Sequence, residues 1–324
     1  MKPLSLVVPC YNESDTVERL YDEFLEVFGQ AGLEFETVFV NDGSRDDTPR
    51  KLRQIAKKDL TAVKVVNFAR NFGKDAAILA GLDLSDGEIT VIIDGDLQQS
   101  PATVVEMYRY LEENPDTDCV AAVQDRRREG CVLSMFKRTF YSIINRLSQV
   151  EFVAGASDFR AFRRPMRDAI LNMREYFRFS KGIFSFVGFE THFLPYEARA
   201  RGGGVSKWSF WKLLRYAIDG IVGFSIAPLR FITILGMLVS FASFAYLVVV
   251  IIQKLINGAN EIRGYPTIIT LILLLGGFQL LALGIIGEYL GRNYIETKKR
   301  PIYIMTEVIK NKPAAEDERP GTAE

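Results

Sequence analysis

Apolar positions follow two rhythms over the first 125 residues and merge into two unbroken blocks in the last third. Short runs at Leu4–Pro9, Thr37–Val40, Ala62–Asn67, Ile89–Ile93 and Cys119–Val123 have the length and β-branched content of buried strands. Between them the spacing becomes helical. Thr16–Phe28 places Val17, Leu20, Phe24, Leu25 and Phe28 on one side, and Asp47–Lys58, Lys74–Leu84 and Ala102–Glu113 read the same way. Strand alternating with helix predicts a mostly parallel sheet covered by helices, an α/β layout of the nucleotide-binding type.

The blocks Ile232–Ile252 and Ile268–Ile286 carry no charged residue. At about 20 residues each they are long enough to cross a bilayer as helices, and neither has the polar face that a soluble helix would need. Their connection holds only Lys254 and Arg263 as basic residues. The opposite flanks carry Lys207, Lys212, Arg215, Arg230, Arg292, Lys298, Lys299 and Arg300, so both termini are expected in the cytoplasm. The predicted organisation is a cytosolic domain over 1–205, a juxtamembrane amphipathic helix over 206–227, membrane helices over 228–254 and 267–290 joined by a loop over 255–266, and a C-terminal segment over 291–324. The juxtamembrane stretch combines Trp208 and Trp211 with Lys212 and Arg215, which suits the headgroup layer; packing on the soluble domain is the alternative. The end from Pro313 is polar and expected to be disordered.

Composition adds little except exclusions. With 40 basic and 40 acidic residues among 324, the formal charge is zero and no nucleic-acid partner is indicated. Cys10, Cys119 and Cys131 lack metal-ligand spacing and read as free thiols. The chain opens directly into a strand, so no cleaved signal peptide is expected.

The chemistry gathers at strand ends, where open α/β sheets bind ligands. The first strand runs into Pro9-Cys10-Tyr11-Asn12-Glu13, the second into Asn41-Asp42-Gly43-Ser44 and the fourth into Asp94-Gly95-Asp96. On an extended segment Asp94, Asp96 and Gln98 would point to one side, offering oxygens that suit Mg²⁺ or Mn²⁺. Taken alone, the triplet also fits an acidic turn. Asn12, Glu13 and Ser14 equally suit the first turn of a helix. Neither a dinucleotide fingerprint nor a P-loop is present.

Val-Val-Pro-Cys-Tyr-Asn-Glu, Val-Asn-Asp-Gly-Ser and Asp-Gly-Asp-Leu-Gln, in this order, resemble the GT-A glycosyltransferases of family 2. The runs Arg70–Lys74, Ser157–Arg160 and Gly204–Trp208, together with the apolar hairpin, are similar to those of polyprenyl-phosphate glycosyltransferases. Ile262–Pro266 and Gly287–Arg292 look most like the bactoprenyl-phosphate glucosyltransferases of O-antigen glucosylation. The resemblance spans nearly the whole chain.

It implies inverting transfer of a hexose, glucose from UDP-glucose, to undecaprenyl phosphate at a bacterial inner membrane, with 255–266 periplasmic. GDP-mannose, UDP-GlcNAc and UDP-aminoarabinose use the same scaffold. The resemblance places donor contacts at Pro9, Tyr11, Glu13, Asp42, Lys74, Asp94, Asp96 and Lys207, and the metal at Asp94, Asp96 and Gln98. It places the acceptor phosphate at Arg126, Arg138, Ser142 and Arg201, and the catalytic group at Asp96, Asp158 and Arg126. Arg201 and Lys207 flank Gly202-Gly203-Gly204, a loop expected to close over the diphosphate. A phosphate monoester, with a second pKa of about 6, is largely a dianion at neutral pH, so Asp158 is expected to position groups rather than to take a proton. Arg127, Arg128 and Lys137 read as a basic surface, His192 as structural, and Glu288 as paired with an Arg or snorkelling. The family also admits homotetramers. A processive synthase would need more membrane helices and a Gln-x-x-Arg-Trp motif that this chain lacks. A non-catalytic nucleotide-sugar binder would not be expected to keep Asp94, Asp96, Gln98, Arg126 and Lys207 together.

Overall fold

The computed structural model describes residues 3–59, 62–124, 145, 153, 155–197, 199, 222–223, 225–257 and 265–310. The chain divides into two compact units, an α/β unit and a smaller unit made chiefly of two long helices.

In the α/β unit, strands and helices follow the order that the apolar rhythm predicts. β1 (Leu4–Cys10), β2 (Phe35–Asn41), β3 (Val63–Phe68), β4 (Ile89–Ile92) and β5 (Cys119–Gln124) are separated by α1 (Val17–Ala31), α2 (Thr48–Lys58), α3 (Lys74–Leu84) and α4 (Pro101–Glu113). β6 (Ala156–Arg163), α5 (Arg164–Asn172), α6 (Ser180–Phe186) and β7 (Thr191–Tyr196) follow. One sheet of eight strands results, in the order β7-β5-β6-β4-β1-β2-β3-β8, where β8 is Met305–Ile309. The pairs β1–β2, β1–β4, β2–β3 and β5–β7 are parallel. β6 runs antiparallel between β4 and β5, and β8 runs antiparallel along β3.

Every residue of β2 is buried, as expected of a strand covered on both faces. On one face Phe24 and Phe28 of α1, Leu52 of α2 and Val104 and Leu111 of α4 pack on Leu6, Val8, Phe39 and Val91. On the other, Ala76, Ala77 and Ala80 of α3 lie against Val38, Val40 and Val66. Alanines let α3 approach the sheet closely, which brings its first residue, Lys74, to the strand ends.

β6 and β8 are additions to the predicted elements. β8 falls within the C-terminal segment expected over 291–324, and residues 305–309 complete the sheet. Glu307 accepts from Arg53 Nε at 2.9 Å and Asn67 Nδ2 at 2.8 Å, the Thr306 hydroxyl donates to Asn67 O, and Tyr303 stacks on Phe68 with ring centres 5.1 Å apart. His192 lies in β7 with its ring stacked on Tyr110 at 4.0 Å, in keeping with a structural role. Cys10 and Cys119 are free and buried, and burial raises both thiols above their ordinary range.

The second unit contains α7 (Ala227–Asn257) and α8 (Tyr265–Thr297). Both hold windows long and apolar enough to span a membrane, with mean hydropathies of 1.7 and 2.2, and these windows are not buried within the protein. Large apolar side chains such as Phe241, Leu255, Leu280 and Leu283 stand exposed on them. Exposed apolar surface on this scale suits lipid, and the protein is membrane-associated. Ser225 caps the start of α7 by accepting from Ala227 N at 3.1 Å, and Tyr289 of α8 donates to Ser225 O at 2.6 Å. Glu288 pairs with Arg292 one turn along at 3.0 Å, which resolves its two readings in favour of pairing. Of the predicted interfacial helix at 206–227, residues 206–221 and 224 lie outside the described residues.

Candidate active site

The ends of β1, β2 and β4 form one wall of the site, and their loops are tied together. Asn12 takes a positive φ of 56°. Its amide N donates to Ser44 Oγ at 2.9 Å, and its Oδ1 accepts from Arg45 N at 2.9 Å. Glu13 N donates to Thr48 Oγ1 at 2.9 Å and Ser14 N to Asp46 Oδ2 at 3.1 Å. For Asn12 and Ser14 these bonds follow the structural reading, but as a clamp between two loops rather than as a helix cap. α1 has Thr16 before its first turn, with no side-chain cap.

Asp42 is buried and accepts from Phe72 N at 2.6 Å and Gly73 N at 3.0 Å. Burial raises its pKa, and the two loop amides hold that rise down. Asp42 thus fixes the segment leading into α3, which rides over Gly43. Gly43 has φ of 64°, and a Cβ there would stand 2.4 Å from the Arg70 carbonyl carbon. No other residue type fits this approach.

The fourth strand end differs from its predicted geometry. β4 stops at Ile92, and the acidic triplet forms a turn in which Leu97 has φ of 63°. A left-handed residue breaks the alternation that was to align Gln98 with Asp94 and Asp96. Asp96 Oδ1 instead accepts from Gln98 N at 3.1 Å, and Gln98 O accepts from Arg199 N at 3.0 Å. The side-chain amide that touches Asp94 belongs to Gln99: its Oε1 accepts from Asp94 N at 2.8 Å and its Nε2 donates to Asp94 Oδ2 at 3.1 Å. Gly95 sits beside the end of β1, so an added Cβ would lie 3.5 Å from Pro9 O and 3.6 Å from Glu13 Cγ. Tyr11 is exposed at the same edge.

Sheet register brings in the remaining acid. β6 pairs with β4 so that Arg160 faces Ile92; continued by two residues, that register sets Asp158 opposite Asp94. Lys74, at the start of α3, bridges them: Nζ lies 2.7 Å from Asp94 Oδ1 and 3.1 Å from Asp158 Oδ2. Withdrawal from water works to lower the Lys74 pKa, but the two carboxylates outweigh it and hold the ammonium well above its usual range. Burial opposes the charge on Asp158, yet Lys74, Lys181 and Arg160 hold its pKa below the ordinary carboxylate value. Asp158 therefore stays ionised at neutral pH and is a poor proton acceptor there.

Sequence reasoning missed several members of this cluster. Arg160 is buried, stacks its guanidinium 3.7 Å from the centre of the Phe184 ring, and donates to Ser157 O at 2.8 Å. Asp75 accepts from both the amide and hydroxyl of Ser180 at the start of α6, which carries Lys181. Lys74 begins α3 and Lys181 is the second residue of α6, so each helix carries a basic residue in its first turn. Arg126, Arg138, Ser142, Arg201 and Lys207 lie outside the described residues, as does Cys131.

Among the described residues no group of three or more His, Cys, Asp or Glu could enclose a metal ion. Asp94 and Asp96 supply hard carboxylate oxygens at one turn, which fits an ion that takes one or two carboxylates from protein and further oxygens from a substrate phosphate.

A mostly parallel sheet with acids converging at one set of strand ends, followed by two apolar helices, defines a GT-A-type transferase joined to a membrane hairpin. The chain belongs to glycosyl transferase family 2, whose family model matches residues 5–171; that for the GtrB C-terminal hairpin matches 227–292. Among its relatives, the Bacillus subtilis protein CsbB is 40% identical over 310 residues, covering 95% of this chain and 93% of that protein. The prophage bactoprenol glucosyl transferase homolog of Escherichia coli is 38% identical over 307 residues, or 95% and 99% of the two chains. The SfII prophage-derived bactoprenol glucosyl transferase of Shigella flexneri is 37% identical over 310 residues, or 96% and 99%.

Proposed function

We propose that this protein transfers glucose from UDP-glucose, with inversion, to the phosphate of undecaprenol on the cytoplasmic face of a bacterial inner membrane. The product would be a lipid-linked sugar for modifying cell-surface glycans. The carrying observation is the acidic site at the β4–β6 junction in a chain that also contains the apolar hairpin. The near full-length relatives named as bactoprenol glucosyl transferases support the choice of acceptor and sugar.

Asp94 and Asp96 would hold Mg²⁺ or Mn²⁺, which when bound offsets charge on the departing nucleoside diphosphate. Pro9, Tyr11, Glu13 and Asp42 line the same edge and would receive the nucleoside. Asp42 does so through the segment that it fixes as well as by contact. Asp158, held ionised beside Lys74, orients cations near the reacting carbon. An acceptor that arrives as a dianion has no proton to lose, so the reading requires no protein base. The basic flanks of the hairpin support a cytoplasmic catalytic domain.

Purified full-length protein with undecaprenyl phosphate and Mn²⁺ or Mg²⁺ is expected to use UDP-glucose in preference to UDP-GlcNAc, UDP-aminoarabinose and GDP-mannose. Donor binding without transfer from any of them would overturn the reading in favour of a nucleotide-sugar binder. Arg126→Ala is expected to raise the apparent KM for the lipid about 10–100-fold, the worth of a charge-assisted hydrogen bond, and to leave the donor KM within about threefold. A change confined to the donor KM would count against its acceptor role.

A further inference from the structure

We propose that Lys74 is a resident counter-cation of the Asp94–Asp158 pair that keeps a free divalent ion out of the site until the ion arrives with a diphosphate. The proposal rests on the reading of Asp94 and Asp96 as metal carboxylates.

The ammonium stands 2.7 Å from Asp94 Oδ1 and 3.1 Å from Asp158 Oδ2, and Asp94 Oδ2 is already bonded to Gln99 at 3.1 Å. Both oxygens of Asp94, one of the expected metal ligands, are engaged. An ion coordinated by Asp94 would sit about 2 Å from a carboxylate oxygen, beside the ammonium. At about 4 Å the repulsion between a divalent and a monovalent cation corresponds to more than about tenfold in affinity, even with the dielectric of bulk water. The ion binds well only if Lys74 moves.

The geometry lets it move. Lys74 is the first residue of α3, and its side chain is 42% exposed, so the flexible stem can swing towards solvent. A bare metal ion gives the displaced ammonium no new partner. A diphosphate does: its oxygens accept the lysine while they complete the shell of the ion. Asp158 keeps the electrostatic support of Lys181 and Arg160 when Lys74 leaves. Ion and donor are thereby coupled, and idle occupancy of the site by metal alone is suppressed.

Mn²⁺ binding to the full-length protein in detergent, followed by the electron paramagnetic resonance of the free ion, tests this without turnover. Lys74→Met removes the cation; Lys74→Gln also removes it but keeps a hydrogen-bond donor, should the methionine variant fail to fold. Without nucleotide, wild type and Lys74→Arg are expected to bind Mn²⁺ weakly and the neutral variants at least about tenfold more tightly. With saturating UDP the difference should shrink or reverse. Neutral variants that bind Mn²⁺ alone no more tightly than wild type, while UDP-dependent binding persists, would overturn the proposal. If UDP fails to promote Mn²⁺ binding in every protein, the metal reading beneath it falls as well.

Discussion

Asp96→Ala is expected to lower glucosyl transfer by at least about 10³-fold while leaving the protein folded. A metal-bound leaving group is stabilised by several kcal/mol in the transition state, and each 1.36 kcal/mol is a factor of ten in rate. Asp96 is buried at the turn, where its Oδ1 accepts from Gln98 N. A single substitution at such a turn typically costs about 0.5–3 kcal/mol, too little to unfold a domain of this size. Asp96→Asn separates charge from shape, since it keeps an oxygen for Gln98 N and loses the carboxylate. Thermal midpoints close to wild type, with transfer from UDP-glucose lost in both variants, are the expected pair of measurements. A variant that turns over at near wild-type rate in saturating Mg²⁺ would remove Asp96 from the metal site.

The second large effect is expected at a residue with no side chain, next to Asp42. Gly43→Ala should destabilise the α/β unit by about 2–4 kcal/mol, combining a left-handed backbone with overpacking against main chain. For a unit of this size that is a fall of about 5–15 °C in melting temperature. The atoms in the way are the Arg70 carbonyl carbon at 2.4 Å and Asn71 N at 2.6 Å, which no rotamer change can move. Donor binding should weaken too, because the displaced segment carries the Phe72 and Gly73 amides that hold Asp42. Calorimetry and UDP titration on the same preparation check both. An unchanged melting temperature would mean that the loop sits elsewhere in solution.

The parallel core was legible because strands buried on both faces are nearly continuous in apolar residues; β2 is the extreme case. β6 was hidden because Asp158 and Arg160 interrupt its apolar positions, and their charges are tolerable only through partners contributed by α3 and α6. β8 was hidden because an edge strand of five half-exposed residues has little apolar signal. At the site, the acids could be named from their motifs. Their geometry could not: a left-handed Leu97 breaks the expected alignment of Gln98 with Asp94 and Asp96, while Gln99 bonds Asp94, and no local pattern announces it. Lys74 was legible only as part of a motif. Its bridge depends on the register of β4 with β6, two strands 60-odd residues apart whose pairing the intervening chain does not encode.

The position of β8 sets an order of events during synthesis. Glu307 meets Asn67 across a separation of 240 residues, and both long apolar helices lie between them. At about 5–20 residues per second, the ribosome delivers β8 roughly 12–48 s after its partner. Throughout that interval β3 is an open edge with unpaired main-chain groups, the kind of surface that recruits wrong strands. Catalytic sheet and hairpin are therefore coupled in time: the enzyme's last strand can dock only after both helices have left the ribosome.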